Sequence, residues 1–357
     1  MPPSSASSRF AAAAGLLDAA VERRVFPCAS IEVGRRNDVY WRHACGTLSY
    51  DAESAPATPD TIFDLASLTK VLATTTLLMR LVDEGAVTLE DPVAHWLADW
   101  RGEDRAGVSI ADLLEHAGGL TAHLPFFRDH HGRGDFQHAI CTLPLEYAAG
   151  SQSVYSDLGF ILLAFIATDA ARGIGVDAQF DQVSRGLDLG DLRYRPPVAW
   201  RSRTAPTEVD AWRGRLLTGE VHDENGWALG GVAGHTGLFG TAPAVGRFAR
   251  ALLDTVTGVP RLANPATLAR FLRRSTVPGS SRALGWDTML PTSSCGHRLS
   301  PAAIGHTGFT GTSLWIDPRQ GLYVVLLTNR VHPTRNNEAI LEVRPAVHDA
   351  IVQALAQ

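Results

Sequence analysis

Ser67 and Lys70 stand three residues apart in Phe63-Asp-Leu-Ala-Ser-Leu-Thr-Lys-Val71, and Lys70 is the single lysine among 32 basic residues that are otherwise all arginine. Codon usage accounts for the arginines. A lysine that survives such a bias marks a place where the cation has to be able to release a proton, which guanidinium does not do in proteins. Residues i and i+3 share a helix face, so the hydroxyl and the amine can meet. The N-terminus of that helix also favours an alkoxide-like oxygen. Burial beside Val71, Leu72, Leu78, Met79 and Val82, with a cation nearby, predicts a lowered lysine pKa and an amine able to accept or relay a proton. The competing reading is a serine N-cap followed by a surface lysine, and the apolarity of the helix that follows speaks against it.

Two further groups carry chemistry. Tyr155-Ser156-Asp157 precedes an apolar helix over 158–171. A tyrosine at its ordinary pKa of about 10 is a poor base, but beside a lysine ammonium its phenolate becomes accessible. Taken alone, a capping Ser or Asp behind a packing tyrosine is the better reading of that triplet. Gly305-His306-Thr307-Gly308-Phe309 leads into a strand pattern; its glycines let a substrate approach the strand edge, where a backbone N–H can donate to an oxyanion. The same His-Thr-Gly occurs at His235, but there it runs into Thr241, a good N-cap, and reads as a tight structural loop. His123, Asp129-His130-His131 and His138 lack metal-ligand spacing, so no metal is expected. Their segment reads as a solvent-exposed lip with Phe126 and Phe127 facing acyl groups. With no Walker A, G-x-G-x-x-G or G-x-S-x-G pattern, no cofactor is expected, and an α/β-hydrolase elbow is excluded.

The elements that would position these groups alternate at the two ends of the chain. A helical stretch from Phe10 to Val25 leads to strands at 29–33 and 39–44; near the other end, strands at 312–316 and 322–328 precede a helix over 344–356. Helical patterns occupy 67–84, 109–116 and 158–171, whereas 172–230 is poorly periodic, and a Gly-rich stretch over 230–240 precedes a helix at 242–253. One sheet built from both termini, with a helical insertion, is expected, with the site in the cleft between them.

Composition removes other classes. The chain has 357 residues, 45% of them apolar, and a net charge of −5. With no basic cluster interleaved with aromatics, nucleic-acid and anionic-membrane partners are not expected. The longest apolar run, 160–167, is far short of the ~18 residues of a membrane span. The N-terminal apolar segment is interrupted by Asp18 and suits an amphipathic helix better than a signal peptide. Cys28, Cys45, Cys141 and Cys295 are widely spaced, as expected for free thiols in a reducing, cytoplasmic setting.

Taken in order, the three motifs resemble the active-site signature of the serine β-lactamase and penicillin-binding protein superfamily. With tyrosine first in the second motif, the chain is most similar to class C β-lactamases, DD-peptidases and family VIII carboxylesterases. His116–Leu120 and the Gly230–Phe239 stretch are similar to segments of the same superfamily. The resemblance implies an α+β fold with an antiparallel sheet flanked by the N- and C-terminal helices. Residues 1–66 and 235–357 would form the sheet domain and 67–234 the mainly helical one. It implies Ser67 as acylated nucleophile, Lys70 and Tyr155 as the proton-transfer pair, the N–H groups of Ser67 and Phe309 as oxyanion hole, and His306 in the place of the third-motif lysine. Gly308 and Asp157 would line the substrate site.

Two departures bear on the substrate. His306 replaces a lysine that commonly holds a substrate carboxylate, and Asp157 replaces an asparagine, adding a charge that discourages anions unless Lys70 neutralises it. A carboxylesterase acting on short-chain or neutral esters is therefore the first expectation. A β-lactamase or DD-peptidase comes second; an acyltransferase or a non-catalytic ligand-binding homologue are further alternatives. The partner in each case is a small ester or β-lactam-like molecule.

Overall fold

The computed structural model describes residues 8–356, so the first seven residues of the expected N-terminal region lie outside the described residues. Helix α1 (Ala11–Glu22) leads into strands β1 (Cys28–Arg35), β2 (Val39–Gly46) and β3 (Phe63–Asp64). A π-helical turn, Lys70–Thr75, continues directly into α2 (Thr76–Asp83). Then come α3 (Val93–Trp96), α4 (Ile110–Leu114), α5 (Gly132–Thr142), α6 (Asp157–Ala170), α7 (Val176–Gly186) and β4 (Leu192–Tyr194). The short hairpin β5 (Val209–Asp210) and β6 (Arg215–Leu216) is followed by α8 (Glu224–Ala228), β7 (Leu238–Gly240), α9 (Ala242–Val256) and α10 (Pro265–Phe271). Strands β8 (Asp287–Thr288), β9 (Ile304–Thr307), β10 (Ser313–Asp317) and β11 (Leu322–Thr328) lead to α11 (Ile340–Ala356).

The main sheet runs β2-β1-β11-β10-β9-β8, antiparallel throughout. It joins strands from both ends of the chain, and the expected α+β architecture is borne out. Alternate side chains face opposite sides of such a sheet. Ala29, Ile31, Val33, Val324 and Leu326 join the outer core under α1 and α11. Tyr323, Val325, Leu327, Leu314 and Ile316 join the inner core, which continues without a break through α2 and α6. Both faces are covered, so Leu322–Thr328 is buried along its whole length and reads as a continuous apolar run. This also buries Glu32 of β1, which strand alternation alone would send to solvent. Its carboxylate accepts from Arg42 Nε at 2.6 Å, Arg250 Nη1 at 2.8 Å and the Tyr323 hydroxyl at 2.7 Å, so the buried charge is paired from three sides. Gly246 of α9 sits against that carboxylate where a Cβ would have no room, so α9 packs closely on the sheet.

Helix α6 is apolar all round and buried from Leu158 to Ala167, the behaviour expected of a helix inside a core. A second, three-stranded sheet of order β3-β7-β4 ties the segment before Ser67 to the Gly-rich stretch. Helix α11 begins at Ile340, four residues before the expected start, because Ile340 and Val343 are drawn into the outer core. The expected lip is different in the structure. Phe126 and Phe127 are buried, Phe126 against Phe136 and Phe127 against Trp212, and neither lines the site. The segment after them forms α5 instead of an open loop, and His130 packs edge-on against Phe126.

Candidate active site

The approach to Ser67 is a sharp turn held by a buried carboxylate. Asp64, at the end of β3, accepts from the Ala66 N–H at 2.8 Å and the His222 N–H at 2.7 Å. Ala66 is thereby held at a φ of 46°, in the left-handed region that a side chain with a Cβ rarely adopts. Such strain at a turn is characteristic of sites where a side chain has to be aimed. Ser67, half-buried, follows at the start of the helix.

Lys70 is fully buried and binds several groups at once. Its Nζ donates to Ser67 Oγ at 2.9 Å, to the Tyr155 hydroxyl oxygen at 2.7 Å and to Asp157 Oδ1 at 2.7 Å, with the His235 carbonyl at 3.4 Å. The lowered lysine pKa expected from the sequence is corrected here. Burial does pull it down, but the Asp157 charge and then Tyr155 outweigh burial, and the net shift is upward. Asp157 moves the opposite way: burial would raise its carboxyl, yet Lys70 holds it well below the usual carboxylate range. Lys70 is therefore a resident ammonium. It cannot take the Ser67 proton, but it can stabilise negative charge forming on Ser67 or Tyr155.

Tyr155 and Asp157 are placed by the first turn of α6. Ser156 caps it, accepting from the Gly159 N–H at 3.4 Å, and donates its own hydroxyl to the Thr121 carbonyl at 2.7 Å. His116 is the frame for this segment. Its carbonyl accepts the Val154 N–H at 2.9 Å, its Nδ1 accepts the Ser156 N–H at 3.0 Å, and its ring lies 4.7 Å from the Tyr155 ring, centroid to centroid. Burial, then the charges of Arg282 and Lys70, keep His116 well below the ordinary histidine pKa. The sequence offered His116–Leu120 only as a family-like stretch; nothing local showed its role.

The third motif closes the site on the side of β9. His306 is buried, its ring centroid 5.7 Å from that of Tyr155. Burial first, then Lys70 and Arg282, hold its pKa well below the usual value, so it is neutral. Its Nδ1 is 2.8 Å from the Thr307 carbonyl, which fixes the proton there and leaves Nε2 a bare, buried acceptor. Beyond it, Thr310 Oγ1 donates to the Asp64 carbonyl at 2.7 Å and Thr312 Oγ1 to the Leu65 carbonyl at 3.0 Å. Gly308 is pressed against this seam: a Cβ there would lie 2.6 Å from the Leu65 carbonyl oxygen. The loop of Phe309 is thus stitched to the segment just before Ser67, and neither the Ser67 nor the Phe309 N–H donates to another group among the described residues. Two free N–H groups on stitched loops are the raw material of an oxyanion hole.

His235, read from the sequence as a loop residue, is drawn into the same neighbourhood. Its Nε2 is 2.9 Å from Asp223 Oδ1 and its carbonyl faces Lys70. Gly234 beside it packs on α6, where a Cβ would meet the Phe160 carbonyl at 1.9 Å. Asp157, Asp223 and His235 bring ligand-type atoms within 4.8 Å of one another. The Lys70 ammonium already occupies Asp157, so this cluster is an ion-pair network. The site opens into a cleft of about 670 Å³, whose walls include Ser67, Tyr155, Asp157, His306, Gly308 and Phe309. Arg330 and Arg344, which the sequence did not single out, also line it.

A serine held by a lysine ammonium and a tyrosine, on the helix that follows a small sheet and beside the edge of a larger antiparallel one, defines the class of serine hydrolases with the β-lactamase fold. The chain belongs to the Beta-lactamase family, whose model matches residues 13–347. It is 30% identical over 347 residues, 86% of this chain and 79% of the other, to a protein of Escherichia coli (strain K12) whose name assigns it provisionally as a D-alanyl-D-alanine carboxypeptidase. Among solved structures it is similar to a class C β-lactamase from Rhodobacter sphaeroides, at a TM-score of 0.76 and 21% identity, covering 96% of this chain and 99% of that one. It is similar also to EstCE1, a hydrolase with promiscuous acyltransferase activity, at a TM-score of 0.76 and 20% identity, covering 97% of this chain and 100% of that one. At these identities the structural likeness is one of fold.

Proposed function

We propose that the protein is a carboxylesterase that works through an acyl-enzyme on Ser67. The observation that carries this reading is the single ammonium of Lys70 in contact with Ser67, Tyr155 and Asp157. In this mechanism Ser67 Oγ attacks the ester carbonyl carbon as its proton moves to the Tyr155 oxygen, with the Lys70 ammonium stabilising the negative charge that develops. The tetrahedral oxyanion receives the N–H groups of Ser67 and Phe309. Collapse breaks the bond to the alcohol, which leaves with the proton from Tyr155. Water then attacks the acyl-Ser67 ester by the same route, releasing the acid and restoring Ser67. The neutral His306 in the third motif supports an uncharged ester substrate, because it does not offer a carboxylate the cation that a lysine would.

One observation favours a second reading. Arg344 is buried with no carboxylate partner among the described residues; burial and then Arg330 lower its pKa to about 10. Among the described residues Arg330 donates only to the carbonyls of Phe309, Arg335 and Asn337. Asp157, moreover, is neutralised by Lys70 and no longer repels an anion. Two unpaired guanidinium groups in the cleft suit a substrate bearing a carboxylate, such as a D-alanyl peptide or a β-lactam.

Stoichiometric labelling by a fluorophosphonate is expected for the wild-type chain and not for Ser67→Ala; no added mass on the wild type would defeat both readings. Between them, kcat/KM for p-nitrophenyl butyrate is expected to exceed that for nitrocefin and for a peptide ending in D-Ala-D-Ala. A large preference for either of the latter two reverses the order.

A further inference from the structure

On the far side of the sheet from the cleft, α1 packs against the edge strand β2. Positions 41, 43 and 45 of β2 share the face beneath it. At one end of this contact the Trp41 ring stacks on Phe10, with centroids 5.1 Å apart, and His43 stacks on Trp41 at 5.5 Å. From Phe10 to Asp18 the helix climbs roughly 12 Å, and from Trp41 to Cys45 the strand advances roughly 13 Å. Asp18 therefore comes level with His43 and Cys45.

There a carboxylate, an imidazole and a thiol converge. His43 Nε2 lies 3.6 Å from Asp18 Oδ1, and with Cys45 Sγ the three ligand-type atoms are all within 4.8 Å of one another. His43 Nε2 is buried and has no hydrogen-bond partner among the described residues. It lies 3.6 Å from the Asp18 carboxylate oxygen, too long for a hydrogen bond and close to the ~3.3–3.6 Å between ligand atoms around a tetrahedral metal with bonds of ~2.0–2.3 Å. Cys45 forms no disulfide and is half-buried, so an ion can reach it.

We propose that Asp18, His43 and Cys45 bind one zinc ion, with a fourth position open to water, and that the ion clips the N-terminal helix to the sheet edge. A mixed sulfur, nitrogen and oxygen set selects zinc over calcium or magnesium, which take oxygen ligands.

Cobalt(II) is the probe that tests this, added to the full-length protein after EDTA treatment and dialysis. One equivalent is expected to bind with a near-ultraviolet thiolate-to-cobalt charge-transfer band that zinc displaces. Cys45→Ser should remove the band, and His43→Ala should weaken cobalt binding by at least about tenfold. Zinc should raise the Tm of the wild type but not of Cys45→Ser. The cluster of Asp157, Asp223 and His235 contains no sulfur and gives no such band. Cobalt binding without the band, a band that persists in Cys45→Ser, or a wild-type Tm indifferent to zinc each overturns the proposal.

Discussion

Lys70 keeps a charge that burial alone would extinguish, because the Asp157 carboxylate is 2.7 Å from its amine. This pairing sets the proton chemistry of the proposed mechanism: the ammonium stabilises, and Tyr155 transfers. Asp157→Asn removes the opposing charge while keeping the shape. Burial then dominates Lys70 and its pKa falls, so the high-pH limb of kcat/KM should move down by at least about one unit. An alkaline limb that stays in place would mean that Asp157 does not govern Lys70. Lys70→Arg retains the charge but not the compact three-donor geometry; kcat/KM should fall by roughly 10³ or more, with an unchanged circular dichroism spectrum. Ser67, Lys70, Tyr155 and His306 were legible because their types are unusual in their settings and their spacing is local. The direction of the Lys70 shift was not legible, since it depends on a carboxylate 87 positions away whose distance only the fold determines. His116 and Asp223 escaped for the same reason: each acts through contacts that no local pattern announces.

Among the elements, the seam between the β9–β10 loop and the residues before Ser67 has the clearest consequence. Thr310 and Thr312 stitch it, and Gly308 leaves no space for a side chain. Gly308→Ala should force the loop away from Leu65 and displace the Phe309 N–H. A fall in kcat of about 10²–10³, with a much smaller change in KM and in Tm, is expected if that N–H serves the oxyanion. An unaltered kcat would place the oxyanion elsewhere. Elements whose residues alternate or repeat, such as β1, β11 and α6, could be read from the sequence, because burial of one or both faces writes a pattern into the chain. The stretch over 172–230 could not, since its helices and strands are short and its irregular parts are pinned in places by side chains reaching backbone carbonyls. Arg213 is an example, donating to the carbonyl of Val221 at 2.8 Å and to that of His222. Such contacts leave no periodicity.

The whole molecule rests on two main cores separated by one sheet, with a small third cluster of Ile62, Val221 and Phe239, and buried histidines are distributed through it. His348 of α11 is fully buried; its Nδ1 lies 2.8 Å from the Arg344 carbonyl and its Nε2 has no hydrogen-bond partner among the described residues. Burial chiefly, and the neighbouring Arg344 charge, lower its pKa from 6.5 to about 4. His116 and His306 are shifted in the same direction. In the unfolded chain these histidines take up protons below about pH 6.5 that the native state refuses, so stability rises with pH across this window and is lost as pH falls from about 6.5 towards 4. For His348 alone the full effect is about 3 kcal/mol. The depressed carboxylates such as Asp157 act only below their ordinary range near 4, so a loss that begins at pH 6.5 belongs to the histidines. The Tm is therefore expected to fall steadily between pH 7 and 5, and His348→Leu, which removes the titrating ring from an apolar setting, should flatten part of that slope. A wild-type Tm that holds constant from pH 7 to 5 would mean that these rings accept protons in the folded protein as readily as in water.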